Sequence, residues 1–340
     1  MYYYIANNKQ EGPVDENQVK ELLSSGSMDP QTLIWGGQIS QWTPVSKTAF
    51  ASNLADAASP LPAGPPPWPP LLPGALVKSS APLGFQMDRV RHPREKVVFY
   101  ISAAISLVIW AIILGVTFGA ALLALPFMAL AGWITGLFFK AMFYGNAVRI
   151  TERQHPEISA LVSETAAVLG IRNLPDVFVY NSGGLMNALA IRFVGKSHVV
   201  LFSGLLDNML LRGAHSELRS IIAHELGHHA AGHTSPWKHL LLMPVHLVPF
   251  LSNFYSRCCE YTCDRIAYAV VRDKKAVQRA LLTLAHGTQS LAEKSDLVEF
   301  CAQESEIPGL IGFYLEVLAT HPRITRRIAA VESFASEYVV

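Results

Sequence analysis

The stretch Ser220-Ile-Ile-Ala-His224-Glu225-Leu226-Gly227-His228-His229 decides how the rest of the chain is read. In a helix, His224 and His228 lie four residues apart, so both imidazoles project from one face and can grip one ion. Glu225 sits just round the helix, near enough to take a proton from a water that the ion activates. Two histidine ligands beside a carboxylate base are the core of a metal-assisted hydrolytic site. Leu218, Ile221, Ile222, Ala223 and Leu226 give the helix an apolar face. Ser216 is placed to cap its start and Gly232 to follow its end.

A third ligand is needed, with a fourth position open. One known spacing wants Gly three residues and His six residues after the second ligand. Those positions hold Ala231 and Thr234, and Gly232 and His233 each miss the register by one. His229, His233 and His239 stay open as donors. The better candidate lies in Ser256-Arg257-Cys258-Cys259-Glu260-Tyr261-Thr262-Cys263-Asp264-Arg265-Ile266-Ala267. Glu260 completes a set of two histidines and a carboxylate. Asp264, one turn on, can accept the spare N–H of a ligand histidine. Cys259 and Cys263 are alternative ligands to Glu260, or plain buried thiols.

His-Glu-Leu-Gly-His followed by Arg-x-x-Glu-Tyr-x-x-Asp resembles the integral-membrane zinc peptidases typified by the heat-shock protease HtpX and the CAAX prenyl protease. Met186-Asn187-Ala188-Leu189-Ala190 is similar to the family's Asn-Ala-Phe-Ala strand, with Leu189 in place of the usual aromatic residue. Thr320-His321-Pro322, then Arg327 and Ile328, resembles its C-terminal motif. The four motifs keep the family's order over residues 145–335. The resemblance implies one Zn2+ per chain on His224, His228 and Glu260, with Glu225 as general base. It implies that His321 or Arg327 stabilises the oxyanion, with Arg323 and Arg326 competing for the second place. Asn187 and Ala188 are the candidate substrate contacts, Asn187 alternatively capping a turn.

The chain has 340 residues, a net charge of +1, 51% hydrophobic residues and only 16% charged ones. A balance near zero gives no footing for nucleic acid, and the apolar excess points to a membrane. The four cysteines, Cys258, Cys259, Cys263 and Cys301, form no Cys-x-x-Cys pair, which fits a reducing compartment. The start, Met1-Tyr2-Tyr3-Tyr4, does not read as a signal peptide.

Residues 1–55 read as a small α+β module. A strand is expected over 2–6, a turn at Gly12-Pro13 and a helix over 14–23 ended by Gly26. Short aromatic pieces follow at Leu33-Ile34-Trp35 and Trp42-Thr43-Pro44. The module resembles the bacterial GYF-like domain, which implies docking of proline-rich segments on Tyr4, Trp35 and Trp42. Residues 56–88 are a linker, in which nine of the 24 residues 59–82 are proline. Such a stretch favours stiff polyproline II, and it is itself a ligand of the kind the module would take.

Residues 97–139 are 43 positions without a charge or a histidine. One span needs about 20 residues, so the run reads as two, 97–115 and 119–139, within a transmembrane hairpin over 89–144, the alternative being a buried helical hairpin of a soluble peptidase. Arg89, Arg91, Arg94 and Lys96 precede it, and Lys140 and Arg149 follow. The positive-inside rule puts both outer ends, and so both flanking domains, in the cytoplasm. Residues 145–340 are the peptidase domain, with a helix over 155–169 and strands over 176–180, 187–194 and 198–203. A strand ahead of the metal helix can pair with an extended substrate backbone. Residues 240–254, apolar and cut by Pro244 and Pro249, are too short to span easily. They read as a re-entrant or surface segment or a cover on the metal helix. Helices follow over 256–271 and 273–292, with another after Pro322.

The expected fold is α+β: a mainly helical, gluzincin-type zincin domain with a small sheet, behind a two-helix membrane hairpin and a GYF-like module. The expected function is a zinc endopeptidase of protein and peptide substrates, integral to a bacterial-type inner membrane. Membrane-protein quality control is implied by the resemblance alone. The competing reading is a membrane-tethered scaffold for proline-rich partners with a vestigial metal site. An intact Glu225 speaks against it, because a structural ion needs no base.

Overall fold

The computed structural model describes residues 1–6, 9–24, 28, 30–37, 39–51, 85–181, 183, 187–193 and 195–338. Most of the expected linker, together with Gly26, Met186 and Val194, lies outside them. The chain divides into two compact units, Met1–Pro73 and Gly74–Val340.

The described residues of the first unit form a four-stranded antiparallel sheet, an α-helix and a short 3₁₀ turn over Val45–Lys47. Strands β1 (Tyr2–Ala6), β2 (Lys9–Val14), β3 (Leu33–Gly36) and β4 (Ile39–Pro44) run in the order β2-β1-β3-β4, and α1 is Glu16–Ser24. Val19, Leu23, Ile34, Val45 and Phe50 make its core. Gly12-Pro13 lies within β2 and not at a turn. The β1–β2 register slips between Tyr2 and Tyr4. Gly12 absorbs that slip with φ 119°, where a Cβ would come within 2.8 Å of the Tyr2 carbonyl oxygen.

The second unit opens with α2 (Met87–Val90), α3 (Pro93–Val116) and α4 (Ala124–Asn146). Both long helices are long and apolar enough to cross a membrane. Each outlasts the uncharged run, because Arg94, Glu95 and Lys96 are good helix formers behind Pro93 at the first turn, and α4 carries on through Lys140. Val97, Ile101, Val108 and Ile112 on α3 are exposed, as are Phe127, Leu130, Trp133 and Phe138 on α4. Part of α3 faces inward: Glu95, Val98, Ser102, Ala103 and Ser106 are buried.

A second sheet has the order β5-β6-β8-β7, from β5 (Val148–Arg149), β6 (Asp176–Tyr180), β7 (Ala188–Phe193) and β8 (Lys196–Phe202). β8 pairs parallel with β6 and antiparallel with β7. The helices are α5 (Pro156–Val168), α6 (Ser203–Leu211), α7 (His215–Ala230), α8 (Pro236–Leu242), α9 (Pro249–Val271), α10 (Lys274–His286), α11 (Gln289–Ala292), α12 (Leu297–Ala302), α13 (Gly309–Leu318) and α14 (Ile324–Glu337). Leu201, Leu205, Met209, Leu218, Ile222, Leu226 and Ile266 pack sheet, α6, α7 and α9 into one core.

Three expectations change. Helix α7, which carries His224 and His228, follows Ala214 with no side-chain cap, so Ser216 lies inside it. The stretch 240–254 holds the end of α8, a 3₁₀ turn over Met243–Leu247 and the first turns of α9. Pro249 starts α9 instead of breaking a segment, since a helix's first turn needs no N–H from it. Leu242, Val245, Leu251 and Cys258 pack on Val98 and Ala103 of α3, so this segment covers the entering helix.

Candidate metal centre

Helices α7 and α9 cross at Gly227. A Cβ there would lie 3.2 Å from a side-chain carbon of Ile266 and 3.4 Å from Cys263 Sγ, so glycine permits the close approach. The crossing brings Glu260 of α9 against the histidine face of α7. Glu260 Oε2 lies 3.5 Å from His224 Nε2, and Oε1 lies 3.4 Å from His228 Nε2. Tetrahedral bonds of about 2.0–2.1 Å put neighbouring donors roughly 3.3–3.4 Å apart. Two imidazole nitrogens and one carboxylate at this spacing fit zinc.

The outward ring nitrogens are engaged as well. Asp264 Oδ1 accepts from His224 Nδ1 at 3.0 Å. Arg327 then clasps Asp264 through Nε at 2.8 Å and Nη2 at 2.7 Å, and its Nη1 lies 3.4 Å from Glu260 Oε2. Burial disfavours each of these charges singly, but their mutual pairing prevails. Burial would raise the Glu260 carboxyl, yet hydrogen bonds from both histidines and the Arg327 charge hold it well below the usual range. Burial would lower His224, yet its bonds to Asp264 and Glu260 hold it up at about 10. Against the same burial, Arg327 and His224 keep Asp264 below its ordinary value.

On the other side, His228 Nδ1 is 3.2 Å from His233 Nδ1, and His233 Nε2 is 3.2 Å from Glu95 Oε1. Glu95, buried on α3, also binds Arg91 and the Thr262 hydroxyl. A carboxylate from the entering helix thus backs one metal-site histidine through another. The sequence reading did not single out Glu95. Its signal was the single acid of α3, set in the first turn ahead of the apolar run.

The other candidate histidines are engaged elsewhere. His229 is held by Thr234 at 2.9 Å and the His198 carbonyl at 3.1 Å, and His239 by the Ser235 carbonyl. Cys263 Sγ lies within 4.8 Å of a nitrogen of both metal-site histidines. It faces His233 Nδ1 at 3.6 Å, on the Nδ1 side of His228, and burial pushes its thiol well up. Glu260 reaches both Nε2 atoms, at 3.5 and 3.4 Å.

These residues line a cleft of ≈ 230 Å³ that also takes in Glu225, Asn187, Ala188, His321 and Arg327. Ala188, Leu189 and Ala190 belong to β7, which among the described residues pairs on one side only. The Asn187 side chain accepts from the Ala188 N–H at 2.9 Å, so it also caps the strand start. His321 is exposed at the mouth, its Nε2 3.6 Å from Glu260 Oε1 and its Nδ1 2.9 Å from the Thr320 hydroxyl. Arg323 and Arg326 are tied to Glu304 and Glu316 and do not line the cleft.

In the first unit, Trp35 stands between Tyr3 and Trp42, with ring centroids 5.8 and 6.3 Å away. Both tryptophans are exposed. Tyr4 packs against the core with Tyr2. The aromatic row is therefore Tyr3-Trp35-Trp42, and Tyr4 is on the wrong side of the strand for it.

Comparison with known proteins gives matches for both units. Residues 2–49 match the model for GYF domain 2, and residues 152–237 and 236–335 match the model for peptidase family M48. The plastoglobule-localized metallopeptidase 48 of Arabidopsis thaliana chloroplasts is 30% identical over 190 residues, 52% of this chain and 53% of its own. The chain thus spans about half the length of the curated relative it matches. Among solved structures, Ste24p of S. mikatae aligns over 68% of this chain and 66% of its own, with 15% identity and a TM-score of 0.42.

Proposed function

The chain belongs to peptidase family M48, and from that premise we propose that it is a membrane-anchored zinc endopeptidase acting on protein and peptide substrates. The observation that carries the reading is the shared aim of His224 Nε2 and His228 Nε2 at the Glu260 carboxylate, with Glu225 in the same cleft. These three residues would hold zinc, which when bound would lower the pKa of a water toward about 7 and polarise a peptide carbonyl. Glu225 takes the proton of the attacking water on its carboxylate and hands it to the leaving amine nitrogen. The free edge of β7 pairs with an extended substrate backbone and lays the scissile bond across the cleft, with Asn187 and Ala188 at the near end. His321, solvent-facing at the mouth, donates from Nε2 to the developing oxyanion. Arg327 acts through Asp264 and Glu260: it is a positioning residue, already committed to two carboxylates.

Helices α3 and α4 anchor the enzyme, since water does not favour long helices clad in outward Phe, Leu, Val and Ile. With basic residues at both outer ends, the peptidase unit faces the cytoplasm of a bacterial-type inner membrane. The Tyr3-Trp35-Trp42 row takes proline-rich segments.

The test is cleavage of casein by the full chain in detergent, with zinc, beside Glu225→Gln, reading metal content on the same samples. Zinc-dependent cleavage that the variant loses while keeping its metal is expected. Stoichiometric metal without cleavage in the parent chain would limit the reading to a metal-binding protein, and absence of metal would remove the ligand assignment.

A further inference from the structure

Helix α13 has few apolar neighbours for its own side chains. Leu310 is 81% exposed and Phe313 66%, and Ile311, Tyr314 and Leu315 are also open. Residues 307–315 carry no charge. The single acid of the helix, Glu316, is taken up by Arg323 and Arg326. Beside α13 lies the amino end of α9. Phe250 and Phe254 share a groove with Phe313 and Ile307. Asn253 donates to the Leu318 carbonyl at 2.9 Å, and Arg257 donates to the Glu316 and Ala319 carbonyls, both at 2.6 Å. Leu247, at 74% exposure, and Phe250, at 58%, extend the same apolar surface. Between residues 240 and 254 the only ionisable side chain is His246.

The contacts of α3 say how deep this surface lies. α9 runs back along α3: the His92 N–H donates to the Thr262 hydroxyl at 2.9 Å, then Phe99 meets Tyr255 with ring centroids 5.8 Å apart, and then Ala103 and Leu251 share one cluster. At the level of Phe99 stand Trp237, in edge contact at 6.3 Å, and Lys238, whose ammonium is 5.5 Å from the ring centre. A tryptophan and a lysine beside the start of an apolar helix mark the headgroup level. Ala103 is four residues, about 6 Å, further along the helix. Leu251 with its exposed neighbours Leu247 and Phe250 therefore lies below that level.

We infer that α13 and the amino end of α9 are sunk in one face of the bilayer, so that the peptidase unit rests in lipid beside the mouth of its metal site. This rests on the reading of α3 and α4 as membrane spans. The occupant of the surface is lipid: the surface adjoins α3 through Leu251 and Ala103, the outward side chains of residues 307–315 carry no charge, and the depth suits interfacial helices, about 5–10 Å. A consequence follows for the site. His321 stands three residues beyond α13, whose last carbonyls are pinned by Asn253 and Arg257. Seating α13 in lipid holds the cleft mouth at the membrane surface.

The experiment is spin labelling of the full chain in lipid nanodiscs. Single cysteines replace Leu310, Phe313, Ile112 and Glu299 in a Cys301→Ser background, the other three cysteines being buried. All labelled positions are exposed, so the fold tolerates them. Relaxation by oxygen, which enriches in lipid, is compared with relaxation by a water-soluble nickel chelate. The labels at 310 and 313 are expected to lose nickel relaxation to the level of the Ile112→Cys label and to gain oxygen relaxation over Glu299→Cys. Strong nickel relaxation at 310 and 313, with a lipid-like label at 112, would overturn the immersion and leave the spans intact. Weak relaxation by both agents would mean that a second copy or another protein covers the surface, and would overturn it equally. A water-like label at 112 would remove the membrane reading itself.

Discussion

Arg327 and Glu95 approach the metal site from opposite sides, each through a partner that faces a histidine. Arg327→Ala leaves Asp264 and Glu260 as buried anions without their cation, so the metal-free protein should lose about 3–5 kcal/mol. The check is thermal unfolding after chelation, with metal content read before it. Slower turnover at unchanged stability would make Arg327 an oxyanion donor instead. Glu95→Ala removes the acceptor that fixes the His233 ring, and through it His228. Loss of such a supporting acceptor weakens metal binding by about 10–100-fold, measurable by competition with a chelator, and Glu95→Gln should restore part because its amide oxygen still accepts from His233. At this scale the sequence was informative where chemistry repeats at helical spacing. His224, Glu225, His228, Glu260 and Asp264 all lie four or fewer residues from a partner on the same helix. Glu95 and His233 were not legible, being 138 positions apart and joined only by the packing of α3. Tyr4 misled for a different reason: three consecutive tyrosines hide which face of a two-residue period is buried.

Helices α7 and α9 work as one element, because their crossing makes the metal site. Gly227→Val would press a branched side chain against Ile266 and Cys263. The expected cost is about 1–3 kcal/mol, together with lost zinc as Glu260 moves off the histidines, and unfolding and metal analysis of one preparation test both. The start of α14 is a second case: Arg323 at its N-cap, with the Thr325 hydroxyl and Arg326 in its first turn, converges on Glu304 just beyond α12. Burial would raise this carboxyl, but those bonds bring it down to about 2 from 4.5. A depressed folded value means that its stabilisation is complete above the unfolded value and disappears as pH falls through the folded one. The parent chain should therefore melt above Glu304→Gln near neutral pH, by no more than about 1 kcal/mol for so accessible a cluster. The gap should close between about pH 4.5 and pH 2, and a gap independent of pH would show that the charge is idle. Helix α5 could be read from its apolar periodicity and the Gly170 that ends it, and α7 from its apolar face, whereas the helix expected over 273–292 is α10 and α11, parted at Gly287 with φ 71°. α12 and α13 could not, because α13 is apolar on every side and carries no period to read.

Two units of unlike chemistry share this chain, a small sheet with an exposed aromatic row and a helical unit of the M48 type that opens with two long apolar helices. We propose that the proline run in residues 59–82 serves the first unit as a ligand, the alternative being a passive spacer. Polyproline II is extended before it binds, so docking it costs little conformational entropy. Tyr3, Trp35 and Trp42 present ring faces, which proline rings cover well. A peptide of residues 60–75 should then shift the tryptophan fluorescence of an isolated 1–55 fragment at millimolar concentration or below. Trp35→Ala should weaken the response most, since Trp35 is the middle ring of the row, whereas Tyr4→Phe should leave it unchanged because Tyr4 faces the core. Absence of binding at millimolar peptide would leave the linker a passive spacer and make the aromatic row a site for some other chain. Equal losses from Tyr4→Phe and Trp35→Ala would return the binding surface to the core-side face.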